Sequence, residues 1–137
     1  NKFAGAAREL AYLPRAELER PRLADLAALD EAGFRAVFAG SPVKRLGRGR
    51  FLRNVLVAIG NSGDPALAAV AAARLGDAEP LIRGAAVWAL SRLDPDAFMR
   101  LQRDDADPMV SEEWRLAAAE IAAHPPAGGR SGTDTGI

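Results

Sequence analysis

The chain has 137 residues, and its 18 Lys and Arg balance its 18 Asp and Glu, so the formal net charge is zero. It contains no cysteine, which excludes disulfides, thiolate nucleophiles and Cys-based metal or cluster sites within this sequence. The one histidine, His124, argues against a zinc site or a His-based catalytic dyad. No apolar run reaches the roughly 18 residues of a membrane span.

The first residues, Asn1-Lys2-Phe3, include no initiator Met and no apolar signal-peptide core. We therefore expect a sequence that starts in the middle of a longer, soluble, cytoplasmic protein.

Residues 1–40 are predicted to be helical, because their apolar residues recur at intervals of three and four. A first helix is expected over residues 1–13, ended by Pro14, and a second stripe runs over residues 23–29. The next helix is expected to open at Asp30 and to end at the Gly-Ser-Pro step before residue 43. It is predicted to place three apolar residues on one face: Phe34, Val37 and Phe38.

Residues 41–50 are predicted to form a basic loop. No Asp or Glu occurs from residue 32 to residue 63, and glycines alternate with arginines in the loop. A guanidinium group can donate two parallel hydrogen bonds to the oxygens of one phosphate. This pattern therefore indicates a nucleic-acid contact. A solvated loop whose arginines pair with carboxylates of other elements is the open alternative. The candidate RNA-binding residues are Lys44, Arg45, Arg48, Arg50 and Arg53.

An apolar helix is predicted over residues 51–59, and the segment Gly60-Asn61-Ser62-Gly63 is expected to end it. Asn61 is interpreted as a helix C-cap. Asn54 is open to two readings, a ligand contact or a hydrogen bond to a neighbouring loop.

Residues 51–123 contain an approximate internal repeat. Asp64-Pro65 recurs as Asp94-Pro95, and Arg53 recurs as Arg83, each thirty positions later. The turn that starts at Asp77 recurs from Asp105. These units read as helix, Asp/Pro turn, helix, with aspartates as N-caps and prolines at helix starts. The predicted fold is therefore all-α, a short α-solenoid of HEAT-like repeats.

Within these repeats the bland interpretation of each polar or aromatic group is preferred. Trp88 and Trp114 are expected to be core anchors, and Arg53 and Arg83 to pair with aspartates of adjacent repeats. The adjacent carboxylates, Asp104-Asp105 and Glu112-Glu113, are interpreted as caps and helix-dipole partners rather than as an acid/base pair. Residues 124–137 are predicted to be a disordered tail.

The same residues carry a resemblance to a known family. The matching motifs are Phe34-Arg35, Phe38, Gly40 to Arg45, Gly47-Arg48, Arg50 to Leu56, Gly60 to Gly63, and the repeat from Asp77 to Leu93. Together they resemble the C-terminal region of epoxyqueuosine reductase, and Asn1-Lys2-Phe3 resembles the residues that follow that family's last Cys-Pro-Trp cluster motif.

The resemblance implies a cytoplasmic enzyme that reduces epoxyqueuosine to queuosine at the wobble position of tRNA. It implies cobalamin and two 4Fe-4S iron-sulfur clusters, held by upstream catalytic and ferredoxin-like domains of the same chain. This sequence would be the tRNA-binding end of a monomeric enzyme, without catalytic or metal-ligating residues and inactive alone.

The resemblance also implies a weaker set of residues near the substrate or the corrin, which is Ser41, Asn54 and Asn61. The alternative from another class is a freestanding HEAT-like adaptor that binds proteins through its helical surface.

Overall fold

A computed structural model describes residues 20–125 of the chain. In this range the fold is all-α, as predicted, with seven α-helices, two short 3₁₀ helices and no strand. The predicted helix over 1–13 and residues 126–137 of the predicted tail lie outside the described residues. The α-helices are α1 (Arg20–Ala27), α2 (Glu31–Val37), α3 (Arg48–Asn61), α4 (Ala68–Ala72), α5 (Pro80–Leu93), α6 (Pro95–Leu101) and α7 (Pro108–Ala123). The 3₁₀ helices, Pro42–Leu46 and Pro65–Leu67, precede α3 and α4.

Aspartate and proline begin the later helices, as the sequence predicts. The Asp94 carboxylate accepts a hydrogen bond from the Ala97 amide at 3.0 Å, and Asp107 accepts one from the Met109 amide at 2.9 Å. Each aspartate precedes a proline at the first helical position, where a missing N–H costs no hydrogen bond. Asp64 caps the second 3₁₀ helix in the same way.

The core is organised around α5, which packs against α3 on one side and against α7 on the other. Its buried face includes Ile82, Ala86 and Leu90, all fully inaccessible to solvent. The shorter helices α4 and α6 also pack against α5, and α1 contacts α3 and α4. α5 is therefore the central helix of the described part of the chain. Stacking into a HEAT-like solenoid stays a prediction.

The two long helices α3 and α5 approach closely at Gly60. The predicted Gly-Asn-Ser-Gly segment does end α3, and the last helical residue is Asn61. A methyl group added at Gly60 would lie 2.4 Å from Cζ3 of Trp88 and 3.1 Å from Cα of Ala89, so glycine is needed for packing there. The cap is Ser62 rather than Asn61, since the Ser62 hydroxyl donates to the Ile59 carbonyl at 2.6 Å.

Aromatic contacts attach α2 and α7 to this core. The rings of Phe34 and Phe38 lie 5.5 and 4.7 Å from the ring of Phe51 at the start of α3. Val37, predicted for the same face, is instead 58% exposed, because α2 ends there and only the two phenylalanines reach Phe51. Trp114 is buried with its ring 5.0 Å from that of Phe98, which confirms it as a core anchor.

Trp88 is only partly buried, although it was predicted to be a core anchor. Its ring packs at Gly60 on one side, and the guanidinium of Arg92 lies 5.6 Å from the ring centroid.

Candidate nucleic-acid interface

The basic segment, residues 41–50, is more ordered than the predicted loop. Ser41 accepts a hydrogen bond from the Val43 amide at 3.2 Å and starts the 3₁₀ helix with Pro42 at its first position. Gly47, at a φ of +78°, then turns the backbone into α3. The loop prediction is wrong here because a serine followed by proline is itself a helix-start signal.

Three of the five predicted RNA-binding residues present exposed side chains. Lys44 and Arg45 lie on the 3₁₀ helix, and Arg50 lies in the first turn of α3. Within residues 20–125, no carboxylate lies within ion-pair distance of Lys44 or Arg45. The basic segment thus carries exposed positive charge in a stretch of sequence without acidic residues.

Arg48 is directed inward instead. Its Nε donates to the Leu29 carbonyl at 2.7 Å, and its Nη2 donates to Asp77 Oδ2 at 2.7 Å. Its Nη1 donates to Glu79 Oε2 at 3.0 Å and to Asp77 Oδ1 at 3.3 Å. The side chains of Arg48 and Asp77 are only 9% and 5% exposed. We call this set of contacts the Arg48 clamp.

The charges of the clamp hold each other ionised. Burial raises the pKa of Asp77, but the hydrogen bonds from Arg48 and from the Glu79 amide outweigh it, so the pKa lies below its usual value. The hydrogen bond to Asp77 in turn raises the pKa of Arg48. One of the predicted cations is therefore neutralised within the protein, which is the alternative that the sequence left open.

A second, partly buried guanidinium–carboxylate pair lies at the next turn along the chain. Arg83 donates from Nε to Asp105 Oδ2 at 2.8 Å and from Nη2 to Asp105 Oδ1 at 2.9 Å. The hydrogen bond from Arg83 lowers the pKa of Asp105. This pair confirms the prediction that Arg83 pairs with an aspartate.

Arg53 and Asn54 interact with each other on α3. Nε and Nη2 of Arg53 donate to the Asn54 side-chain oxygen at 3.1 and 2.9 Å. Asn54 is fully buried, so its amide lies inside the helical layer rather than at the surface of the basic segment.

Asn61 is separated from the basic segment. It lies eleven residues after Arg50 on the same helix, which corresponds to about 16 Å along the axis. There it lines a shallow pocket of about 310 Å³ with Ser91 and His124, among others. Of the three weaker candidates, only Ser41 therefore belongs to the basic segment.

No group of three or more His, Cys, Asp or Glu residues that could hold a metal ion occurs within residues 20–125. Over the same range, no helix is long and apolar enough to cross a membrane.

Sequence reasoning missed the partners of Arg48. The available signal was the recurrence of the Asp77 turn as the Asp105 turn. Asp77 pairs with Arg48 just as Asp105, at the matching position of the later turn, pairs with Arg83.

About two thirds of the chain is similar to known enzymes. The chain is 41% identical over 100 residues to the epoxyqueuosine reductase of Alicycliphilus denitrificans, covering 67% of the chain and 28% of that protein. It is 38% identical over 93 residues to the enzyme of Xanthomonas campestris, covering 67% and 26%. It is 33% identical over 93 residues to the enzyme of Escherichia coli, covering 67% and 24%.

No protein-family model matches the chain, and no solved structure gives a significant match. The chain spans about a quarter of the length of the curated relatives that it matches. Over this part, the chain is homologous to the epoxyqueuosine reductases.

Proposed function

We propose that this chain supplies the tRNA-holding part of an epoxyqueuosine reductase, an oxidoreductase that reduces epoxyqueuosine to queuosine at the wobble position of tRNA. In this proposal Lys44, Arg45 and Arg50 contact the phosphates of the anticodon arm. Arg53 borders that surface one turn further along α3, and Ser41 shapes it by capping the 3₁₀ helix. The enzyme would act in the cytoplasm as a monomer.

The observation that carries the proposal is the exposure of cations in a segment without carboxylates, in a chain homologous to an RNA-modifying enzyme. Such a surface attracts the phosphate backbone through counterion release and gives an affinity that falls steeply with salt. The stem and loop of an RNA offer phosphates and 2′-hydroxyls that Lys and Arg recognise by shape.

The chemistry belongs elsewhere in such an enzyme. The sequence has no cysteine, and its described residues offer no ligand cluster, so they do not fit a 4Fe-4S cluster. Cobalamin and the clusters would be held by upstream catalytic and ferredoxin-like domains, and the residues present here would be inactive alone. Asn54 and Asn61 would not contact the bound RNA, because Asn54 is buried and Asn61 lies at the far end of α3.

Fluorescence anisotropy with a labelled anticodon stem-loop RNA tests the proposal. A Lys44→Ala/Arg45→Ala variant should lose two phosphate contacts. On unpaired strands log K falls by about 0.7 per tenfold rise in salt for each contacted phosphate, so each contact raises the affinity about fivefold at 0.1 M relative to 1 M salt. The expected loss for two contacts is therefore about 25-fold. The slope of log K against log salt should become about 1.4 units less steep.

A matched control removes the same amount of charge from a distant surface. Arg100 and Arg103 are both exposed near the end of α6, and their double alanine variant should change the affinity little. Equal losses in the two double variants would show that net charge alone matters and would refute the assignment of the basic segment.

One observation favours a different class of function, a HEAT-like protein-binding adaptor. An open, mainly apolar groove of about 400 Å³ lies at the first turns of α5 and α7, where Leu81 and Met109 are 46% and 79% exposed. An adaptor would bind a protein partner with little dependence on salt concentration and would not bind the stem-loop RNA. Salt-sensitive RNA binding therefore separates the two functions.

A further inference from the structure

Arg48 has almost no hydrogen-bonding capacity left for a ligand. A guanidinium carries five N–H donors, and Arg48 makes four hydrogen bonds within the protein. Three acceptor groups share them: the Leu29 carbonyl, the Asp77 carboxylate and the Glu79 carboxylate. With a side chain only 9% exposed, Arg48 is closed to a phosphate unless the clamp opens.

The clamp joins three separate segments at the point where the basic segment meets α3. Leu29 lies in the connection between α1 and α2, and Asp77 and Glu79 lie in the turn before α5. Asp77 also accepts a hydrogen bond from the Glu79 amide at 3.0 Å, which holds that turn in shape. Arg48 itself is the first residue of α3, directly after the 3₁₀ helix and Gly47.

The carboxylate of Glu79 lies next to Gly49 in the first turn of α3. A methyl group at Gly49 would lie 2.8 Å from Oε1 of Glu79, so the carboxylate is packed over the first helical turn. The position of Lys44 and Arg45 relative to the core thus depends on the junction that the clamp holds.

We propose that Arg48 is a positioning residue for RNA binding: the Arg48 clamp orients the basic segment, and Arg48 does not contact the RNA. This inference rests on the proposed function and refines it, because it separates the cation that holds the surface from those that bind phosphate.

The Asp77→Asn variant should change the affinity for RNA in opposite directions under the two roles of Arg48. It removes one negative charge and leaves Arg48 in place. If Arg48 is a positioning residue, loosening the clamp should weaken binding of the anticodon stem-loop by about fivefold, because RNA binding must then order roughly one long side chain that the clamp no longer holds in place. If Arg48 binds phosphate after release from the clamp, the same variant should strengthen binding.

The salt dependence of Arg48→Ala provides a second discriminating readout. Loss of a direct phosphate contact makes the slope of log K against log salt about 0.7 units less steep, whereas loss of positioning alone leaves the count of contacted phosphates and the slope nearly unchanged. Arg48→Lys keeps the charge but cannot reproduce the fork of hydrogen bonds, so it should not restore full affinity. Full rescue by lysine would overturn the inference.

The matched control is Asp105→Asn, which breaks the equivalent Arg83 pair away from the basic segment. It removes the same charge and disturbs a similar bidentate contact, so it should leave RNA affinity within experimental error. A loss equal to that of Asp77→Asn would show a general effect of stability and would overturn the positioning role.

Measurements should use the complete polypeptide that carries these residues. Amide hydrogen exchange adds a test that does not need RNA: Asp77→Asn should speed exchange at Lys44 and Gly47, whose amides donate to Ser41 and Lys44 carbonyls within the 3₁₀ helix. Unchanged exchange would overturn the clamp's role. Failure of the unmodified protein to bind the stem-loop would instead refute the proposed function, and the exchange result would still show whether the clamp holds the segment.

Discussion

Two glycine-to-alanine substitutions in long helices should change stability in opposite directions. Gly60 lies near the end of α3 and Gly84 lies in the first half of α5, and both have helical backbones. On intrinsic propensity alone, alanine stabilises either site by about 1 kcal/mol relative to glycine. The tertiary environments of the two sites differ, and they decide the outcome.

At Gly60 the added methyl group has no space. Its carbon would lie 2.4 Å from Cζ3 and 3.0 Å from Cε3 of Trp88, with the backbone of Ala89 at 3.1 Å on another side. Carbon atoms pack favourably at about 3.5–4.0 Å, so the helices must separate or the indole must move. Overpacking of this kind costs about 3 kcal/mol at the upper end of its usual range, which outweighs the gain in propensity and leaves a net loss of about 2 kcal/mol.

At Gly84 the same methyl group meets no atom within 4 Å. Gly84→Ala should therefore keep the propensity gain of about 1 kcal/mol. With about 4 °C per kcal/mol for a domain of this size, we expect a melting temperature about 8 °C lower for Gly60→Ala and about 4 °C higher for Gly84→Ala.

Urea and thermal unfolding of the 137-residue chain, followed by tryptophan fluorescence and circular dichroism, would measure both effects. The tryptophan emission of folded Gly60→Ala should also shift, because Trp88 is the group displaced. Equal or greater stability of Gly60→Ala relative to the unmodified chain would refute the close approach of α3 and α5.

Three further predictions follow from the ion pairs and the core. Asp77→Asn should flatten the loss of stability in acid: the depressed pKa of Asp77 stabilises the folded chain above about pH 4, and this contribution disappears as pH falls through the lower folded pKa. Urea unfolding at pH 7 and at successively lower pH would measure it, and an unchanged acid limb would contradict the buried pair. Phe98→Ala should cost about 3–5 kcal/mol, because Phe98 is fully buried against Trp114, and near-ultraviolet circular dichroism of the indole would report the loss. Asn61→Ala should leave stem-loop affinity unchanged in the anisotropy assay, since Asn61 lies about 16 Å along α3 from Arg50; a loss comparable to that of Lys44→Ala/Arg45→Ala would place RNA at the wrong end of the helix.

The sequence predicted a helix correctly where the residues that start it are neighbours in the chain. The Asp-Pro steps at residues 64–65 and 94–95 mark helix starts because the carboxylate and the proline act within one turn. The repeat position that Arg83 shares with Arg53 predicted its pair with an aspartate. The homology to epoxyqueuosine reductases was also predicted from the sequence, because the matching motifs are short runs of adjacent residues.

The inward direction of Arg48 was not predictable from the basic segment. Arg48 and Arg50 lie two positions apart in the same segment without acidic residues. The Arg48 side chain is nevertheless only 9% exposed, whereas Arg50 is exposed. The difference comes from Asp77 and Glu79, which lie about thirty positions further along and reach Arg48 only after α5 has packed on α3.

The sequence by itself determined the helical class, the helix starts and the local excess of positive charge, since each depends on residues within a few positions of one another. The tertiary structure decided which cations face solvent, why residue 60 must be glycine, and which carboxylates neutralise Arg48. These outcomes depend on the distance between helices that are far apart in the chain, and that distance is set by core packing rather than by local pattern.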